Sequence, residues 1–131
     1  LVRLGWRFAN PPPGLPSGMK GWEIAAARLT HVGFYALMIG IPFSGWVLIS
    51  TAPYSVTTMW FGLFEVPKLP LLPDLEGKKA VNEAAESAHS ALVWATIVLL
   101  GLHVGAALKH HFINKDGVLA RMLPFLKARS A

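Results

Sequence analysis

From Ser87 to Leu108 the chain runs for 22 residues, SAHSALVWATIVLLGLHVGAAL, without an Asp, Glu, Lys or Arg. As an α-helix this run reaches about 33 Å, enough to cross a hydrocarbon core of about 30 Å. Two histidines, His89 and His103, lie within it, 14 residues apart. Fourteen steps of about 100° come close to four whole turns, so both imidazoles face one side, about 21 Å apart along the axis. His110 and His111 follow just past the run, after Lys109. One helix therefore offers a ring nitrogen to each half of a bilayer.

His103 is separated from Lys109 by five residues of Val, Gly, Ala and Leu. An ionisable group at that depth implies a function. For His89, two residues into the run, two readings stand: a ligand, or a histidine at headgroup level. His110 and His111 are expected to be satisfied by water at the boundary. Gly101 and Gly105 flank His103, and their missing side chains suit either the approach of a flat macrocycle or close helix–helix packing.

Only 15% of the 131 residues are charged and 53% are hydrophobic. Water-soluble domains carry about 25% charged residues, so a membrane class follows. The absence of cysteine excludes disulfides, iron–sulfur clusters, c-type haem attachment and thiolate zinc sites, and leaves histidine as the metal ligand. Electron-carrying haems stacked across a membrane need imidazoles placed as His89 and His103 are. The formal charge of +5 does not point to nucleic acid, because the basic residues bracket apolar spans instead of lining a polar surface.

The chain begins at Leu1 with neither a methionine nor a signal-peptide pattern, and is expected to continue a longer gene product. Leu1 to Phe8 reads as the cytoplasmic end of a helix, with Trp6 in the aromatic belt and Arg3 and Arg7 among lipid phosphates; a short surface anchor is the alternative. Asn10 to Gly18, NPPPGLPSG, is predicted to be an extended, stiff connector. A second helix starts at Met19 or Lys20, and Leu29 to Ser50 forms the other complete span, with His31 one turn inside. Pro42 is expected to kink it, with the Ser44 hydroxyl satisfying the freed carbonyl. Thr51 to Glu83 is a long connection whose aromatic patch, Trp60 to Phe64, suits a short helix or turn at the membrane surface. It would act as a roof over a cofactor or as an interfacial cap. The spans are placed at about 20–50 and 84–112.

Both flanks of the span pair are rich in Lys and Arg. Arg3, Arg7, Lys20 and Arg28 lie on one side, and Lys109, Lys115, Arg121, Lys127 and Arg129 on the other. The connection carries Lys68, Lys78 and Lys79 against Glu65, Asp74, Glu76 and Glu83. The positive-inside rule places both ends in the cytoplasm and the long loop outside.

The stretch AESAHSALVWATIVLLGLHVGAALKHHFINKDGVLARMLP resembles the last membrane helix and tail of the bacterial cytochrome b561 family. PPPGLPSGMKGWEIAAARLTHVGFYALM, IPFSGW and FGLFEVPKLP agree with it, so the resemblance covers nearly the whole chain. The GLH…KHHF…KDGVL…RMLP tail is its most specific part. The family is related to the b-type cytochrome subunits of nickel–iron hydrogenases and formate dehydrogenases. The resemblance implies an all-α membrane protein, part of a four-helix transmembrane bundle, with 1–131 a single domain holding two complete spans and the tail of another.

It also implies two b haems, electron exchange with the quinone pool (ubiquinone a candidate) and an inner-membrane location. By motif position His89 would be an axial ligand of the outer haem and His103 of the inner haem. Their partner histidines come from the family's first two helices, and this stretch matches only the end of the second. Helices beyond these residues, or a partner subunit, are expected to supply them, and the stretch alone to hold haem incompletely. His31 and His110 are secondary site candidates, His31 as a hydrogen-bond partner of a propionate or a quinone. Three functions compete. The first is haem-b transmembrane electron transfer, with superoxide a donor for some family members; whether that amounts to an oxidoreductase activity is left open. The second is a non-catalytic anchor for a hydrogenase- or dehydrogenase-type partner. The third is a transporter, disfavoured by spans without carboxylates and without an inverted repeat.

Overall fold

The computed structural model describes residues 2–11, 14, 18–54, 57–116 and 118–123. Leu1, much of the proline-rich connector, and the tail with Lys127 and Arg129 lie outside the described residues. The elements in order are α1 (Val2–Ala9), α2 (Gly21–Thr51), β1 (Met59–Trp60), β2 (Phe64–Glu65), α3 (Lys78–Lys109), a π-helical turn (His110–Asn114) and α4 (Val118–Met122). The two long helices have mean hydropathies of 1.8 and 2.1 over their most apolar windows. Their large apolar side chains point outward: Leu29, Val32, Trp94 and Leu102 are all more than 60% exposed. A helix that is apolar all round and unburied has lipid as its solvent. The chain is an all-α membrane protein, with one small hairpin as its sole strand structure among the described residues.

Two compact units make up the fold, one within Leu1–Leu29 and Val104–Ala131, the other Thr30–His103. In the middle unit, α2 and α3 pack antiparallel. A Cβ on Gly33 would meet Leu99 and one on Gly40 would meet Leu92, while Gly45 lies against His89 and Leu48 is bonded by Asn82. The covered stripe of α3 is Asn82, Ala85, His89, Leu92, Thr96, Leu99 and His103, alternating steps of three and four. On α2 the matching stripe is Gly33, Leu37, Gly40, Ser44, Val47 and Thr51. Gly33, Gly40 and Ser44 within it are small, which lets Leu99, Leu92 and His89 of α3 approach closely. In lipid, close packing replaces the hydrophobic effect as the force between helices.

The end of this unit next to the long connection is held by polar bonds. Ser50 and Thr51 are 1% and 0% exposed. Their hydroxyls donate back to the Trp46 and Val47 carbonyls at 2.7 and 2.9 Å. Ser50 Oγ then accepts from Leu69 N–H (2.9 Å), and Asn82 Nδ2 donates to Thr51 Oγ1 (3.0 Å) and to the Leu48 carbonyl (2.9 Å). Trp46 Nε1 reaches the Pro67 carbonyl at 2.8 Å. The long connection is thereby tied to the helix ends and behaves as a fixed cap.

Several local expectations change. Of the two forms expected for the aromatic patch, a short helix or a turn, the turn is present, closed by an antiparallel hairpin with Met59 opposite Glu65 and Trp60 opposite Phe64. Its turn puts Phe61 (φ 49°) and Gly62 (φ 74°) in the left-handed region, which an α-helix excludes. Helix α2 continues through Pro42. Ser44 Oγ donates to the carbonyl of Ile41 at 2.9 Å, where the proline frees that of Met38. Helix α3 begins at Lys78, ahead of the span placed from about 84, so the helix is longer than the span it carries. Its α-geometry stops at Lys109, and the π-turn carries the chain on to Asn114, past 112.

Candidate functional site

His89 sits half-buried on the α3 seam. Its Cε1 is 3.4 Å from where a Cβ would stand on Gly45, so the missing side chain makes room for the imidazole edge. Its Nδ1 is 2.9 Å from Ser44 Oγ. His103 lies two heptads further along the same seam, so the shared face expected from the 14-residue spacing is present. Its ring meets Phe34 edge-on (centroids 5.4 Å, 85°) and His31 at 5.9 Å and 63°. Among the described residues no group is placed to hydrogen-bond the His103 ring. His31 is thus gathered beside the deep histidine, although its residue as a whole is exposed.

The unit formed by the two chain ends has a different chemistry. Lys109 Nζ pairs with Glu23 Oε1 at 2.5 Å and lies 5.5 Å from the Trp22 ring centroid. Glu23 Oε2 accepts from the Lys20 N–H at 2.9 Å, which caps the start of α2. Lys20, Glu23 and Lys109, with Gly18, Met19, Asn114 and Asp116, line a polar cavity of about 520 Å³. His110, expected at the boundary in contact with water, is 6% exposed. Its Nδ1 stands 2.6 Å from Asp116 Oδ2, with Asn114 Nδ2 at 3.2 Å. The π-turn places it so: the chain reverses at Lys115 (φ 55°), whose N–H returns to the His110 carbonyl. Asp116 then caps α4 through Val118 N–H at 3.1 Å.

Gly101 and Gly105 have nothing within 4 Å of an added Cβ. The close helix packing expected of such a pair is provided instead by Gly33, Gly40 and Ser44 on α2. Those three were readable in the sequence as small residues at steps of seven and four, which keep to one helix face. The Ser44 contact to His89 had no sequence signal, because it depends on the register between two helices.

Helix α3 offers one imidazole at each of two levels of the seam, about 21 Å apart, and His31 of α2 stands beside the second. Among the described residues no three His, Asp or Glu side chains converge. Imidazoles spaced in this way would fit an iron already held by a macrocycle, and do not make a chelating cluster. His89 meets the further requirement that one ring nitrogen be held by a protein group while the other stays available.

A family profile described as prokaryotic cytochrome b561 matches residues 1–125. Cytochrome b561 homolog 2 of Escherichia coli K12 is 40% identical over 126 residues, 94% of this chain and 62% of that protein. Cytochrome b561 homolog 1 of the same organism is 34% identical, covering 87% of this chain and 57% of the relative. A Yersinia pestis protein named probable superoxide oxidase CybB is 31% identical, with 95% and 66% covered. The chain spans about three-fifths of the length of these relatives. It belongs to the prokaryotic cytochrome b561 family.

Proposed function

We propose that this chain is part of a b-haem electron-transfer protein of the bacterial inner membrane, with His89 an axial ligand of the outer haem and His103 of the inner haem. The observation that carries this reading is the pair of α3 imidazoles on one seam, two heptads apart. Haem b, held by His89 and His103, would supply one-electron transfer. The protein's own work is to hold the two rings at separate depths and to seal them within apolar side chains. The opposing imidazoles come from helices beyond these residues or from a partner subunit. His31, beside His103, serves a propionate or a quinone through hydrogen bonding, and the quinone pool is the exchange partner. The name of the Yersinia relative makes superoxide the first electron donor to try.

Pyridine-haemochrome quantification of the intact protein tests the ligands. His89→Ala and His103→Ala should each lose one of two haems, while His110→Ala and His111→Ala retain both. Haem loss in His110→Ala with retention in His103→Ala overturns the assignment, and a protein with no Soret band favours the anchor role. Topology follows from the Lys and Arg asymmetry. In intact cells an impermeant thiol reagent should label Thr57→Cys and spare Ala131→Cys. The reverse pattern inverts the orientation.

A further inference from the structure

The three atoms around Ser44 determine which proton His89 carries. Ser44 Oγ is 2.9 Å from the Ile41 carbonyl and 2.9 Å from His89 Nδ1. A serine hydroxyl has one proton to give and two lone pairs to offer, and a carbonyl can only accept. Both contacts are hydrogen bonds only if the serine proton goes to Ile41. Back-donation of this kind to a carbonyl one turn earlier is the usual fate of serine in an apolar helix. The oxygen that faces His89 is then an acceptor, and Nδ1 must be the protonated nitrogen. The lone pair is left on Nε2, which among the described residues has no hydrogen-bond partner.

Resting on the proposed ligand role of His89, the structure assigns Ser44 as its positioning residue: the hydroxyl, oriented by Ile41, fixes the Nδ1–H tautomer and presents Nε2 to the haem iron. Gly45 supports this by leaving space for the Cε1 edge, 3.4 Å from its would-be Cβ. In lipid the bond matters doubly, since a ring N–H without a partner is costly there. Accepting that proton's hydrogen bond also makes the ring a stronger donor to iron, which stabilises the oxidised haem. His103 has no counterpart to Ser44 among the described residues, so the effect belongs to one haem.

Imidazole 15N shifts of the haem-free, full-length protein in nanodiscs test the tautomer directly. Wild type and Ser44→Thr should hold His89 in the Nδ1–H form, and Ser44→Ala should move it towards Nε2–H. In the loaded protein, Ser44→Ala should weaken haem retention at the His89 site about ten- to hundred-fold and raise that haem's potential. The other haem should stay unchanged, and Ser44→Thr should restore both quantities. Ser44→Cys matches serine in size but accepts poorly, so it should follow Ala. An unchanged tautomer in Ser44→Ala, or equal shifts in Ala and Thr, overturns the assignment. Retention of both haems in His89→Ala would instead defeat the ligand reading, and the 15N shifts would still decide the tautomer.

Discussion

His103 and His110 are seven residues apart in sequence and have opposite surroundings. In the middle unit, His103 packs against the rings of Phe34 and His31, with leucine, glycine and valine as its chain neighbours. In the other unit, His110 is buried more deeply yet is bonded to Asp116, with Asn114 and a polar cavity nearby. A buried polar group needs a partner. His110 has its partner within the protein, whereas among the described residues no group is placed to hydrogen-bond His103. If His103 ligates haem as proposed, depth without a polar partner, and not depth alone, is what marks the ligand.

The largest test of that contrast uses protein without haem. His103→Phe removes a group with no hydrogen-bond partner and keeps an aromatic ring, so unfolding free energy should change by less than about 1.5 kcal/mol, as for other near-isosteric swaps. His110→Phe leaves Asp116 Oδ2 without the His110 ring as partner and should cost about 1–3 kcal/mol. Asp116→Asn keeps an oxygen for the α4 cap and turns its amide NH2 towards His110 Nδ1, so it should cost less than Asp116→Ala. Denaturant unfolding in one fixed detergent measures all four. Equal losses at His103 and His110 would erase the distinction. If His103 ligates haem as proposed, the order should reverse with haem bound.

The same contrast explains what could be read from the residues. The charge-free run, the 14-residue spacing and the Lys and Arg flanks follow from periodicity and composition, and the helices and the shared face of His89 and His103 agree with them. His110 was misplaced because nothing local announces that the chain turns back through a π-turn to bring Asp116 onto it. The hairpin at Trp60 was hidden because an apolar aromatic run has no helix or strand period of its own. Gly101 and Gly105 attracted notice as a Gly-x-x-x-Gly pair, but the seam runs through Gly33 and Gly40, whose partners sit on a distant segment.

Glycine size sharpens the comparison at a smaller scale. An added Cβ at Gly33 would stand 3.1 Å from Leu99 Cδ2, whereas Gly101 and Gly105 face open space. Gly33→Leu should overpack the seam and cost about 1–3 kcal/mol of haem-free stability. Gly101→Leu and Gly105→Leu should leave that stability within about 0.5 kcal/mol. If those two glycines admit a macrocycle beside His103, their leucine variants should lose the His103 haem while folding normally. Soret titration beside the unfolding curves separates the two effects, and retention of haem in both variants assigns the glycines to lipid contact instead.

The smallest expected effect comes from a pair that looks like a strong interaction in a contact map. Lys79 and Glu83 are one helical turn apart with Nζ and Oε1 at 3.9 Å, but their side chains are 89% and 64% exposed. Water and salt screen such a pair, and holding two long side chains together costs rotamer freedom. The basic residue also precedes the acidic one, the weaker orientation for an i, i+4 pair. Glu83→Gln should therefore shift unfolding free energy by no more than about 0.5 kcal/mol, and less in high salt. Lys109 and Glu23 form the same type of ion pair, but the Glu23 side chain is only 10% exposed and also caps α2. Glu23→Gln should thus be the more damaging of the two, with the salt dependence of its loss the weaker. Unfolding curves at low and high ionic strength give both answers. A larger, salt-sensitive loss at Glu83 would mean that exposure does not rank these ion pairs.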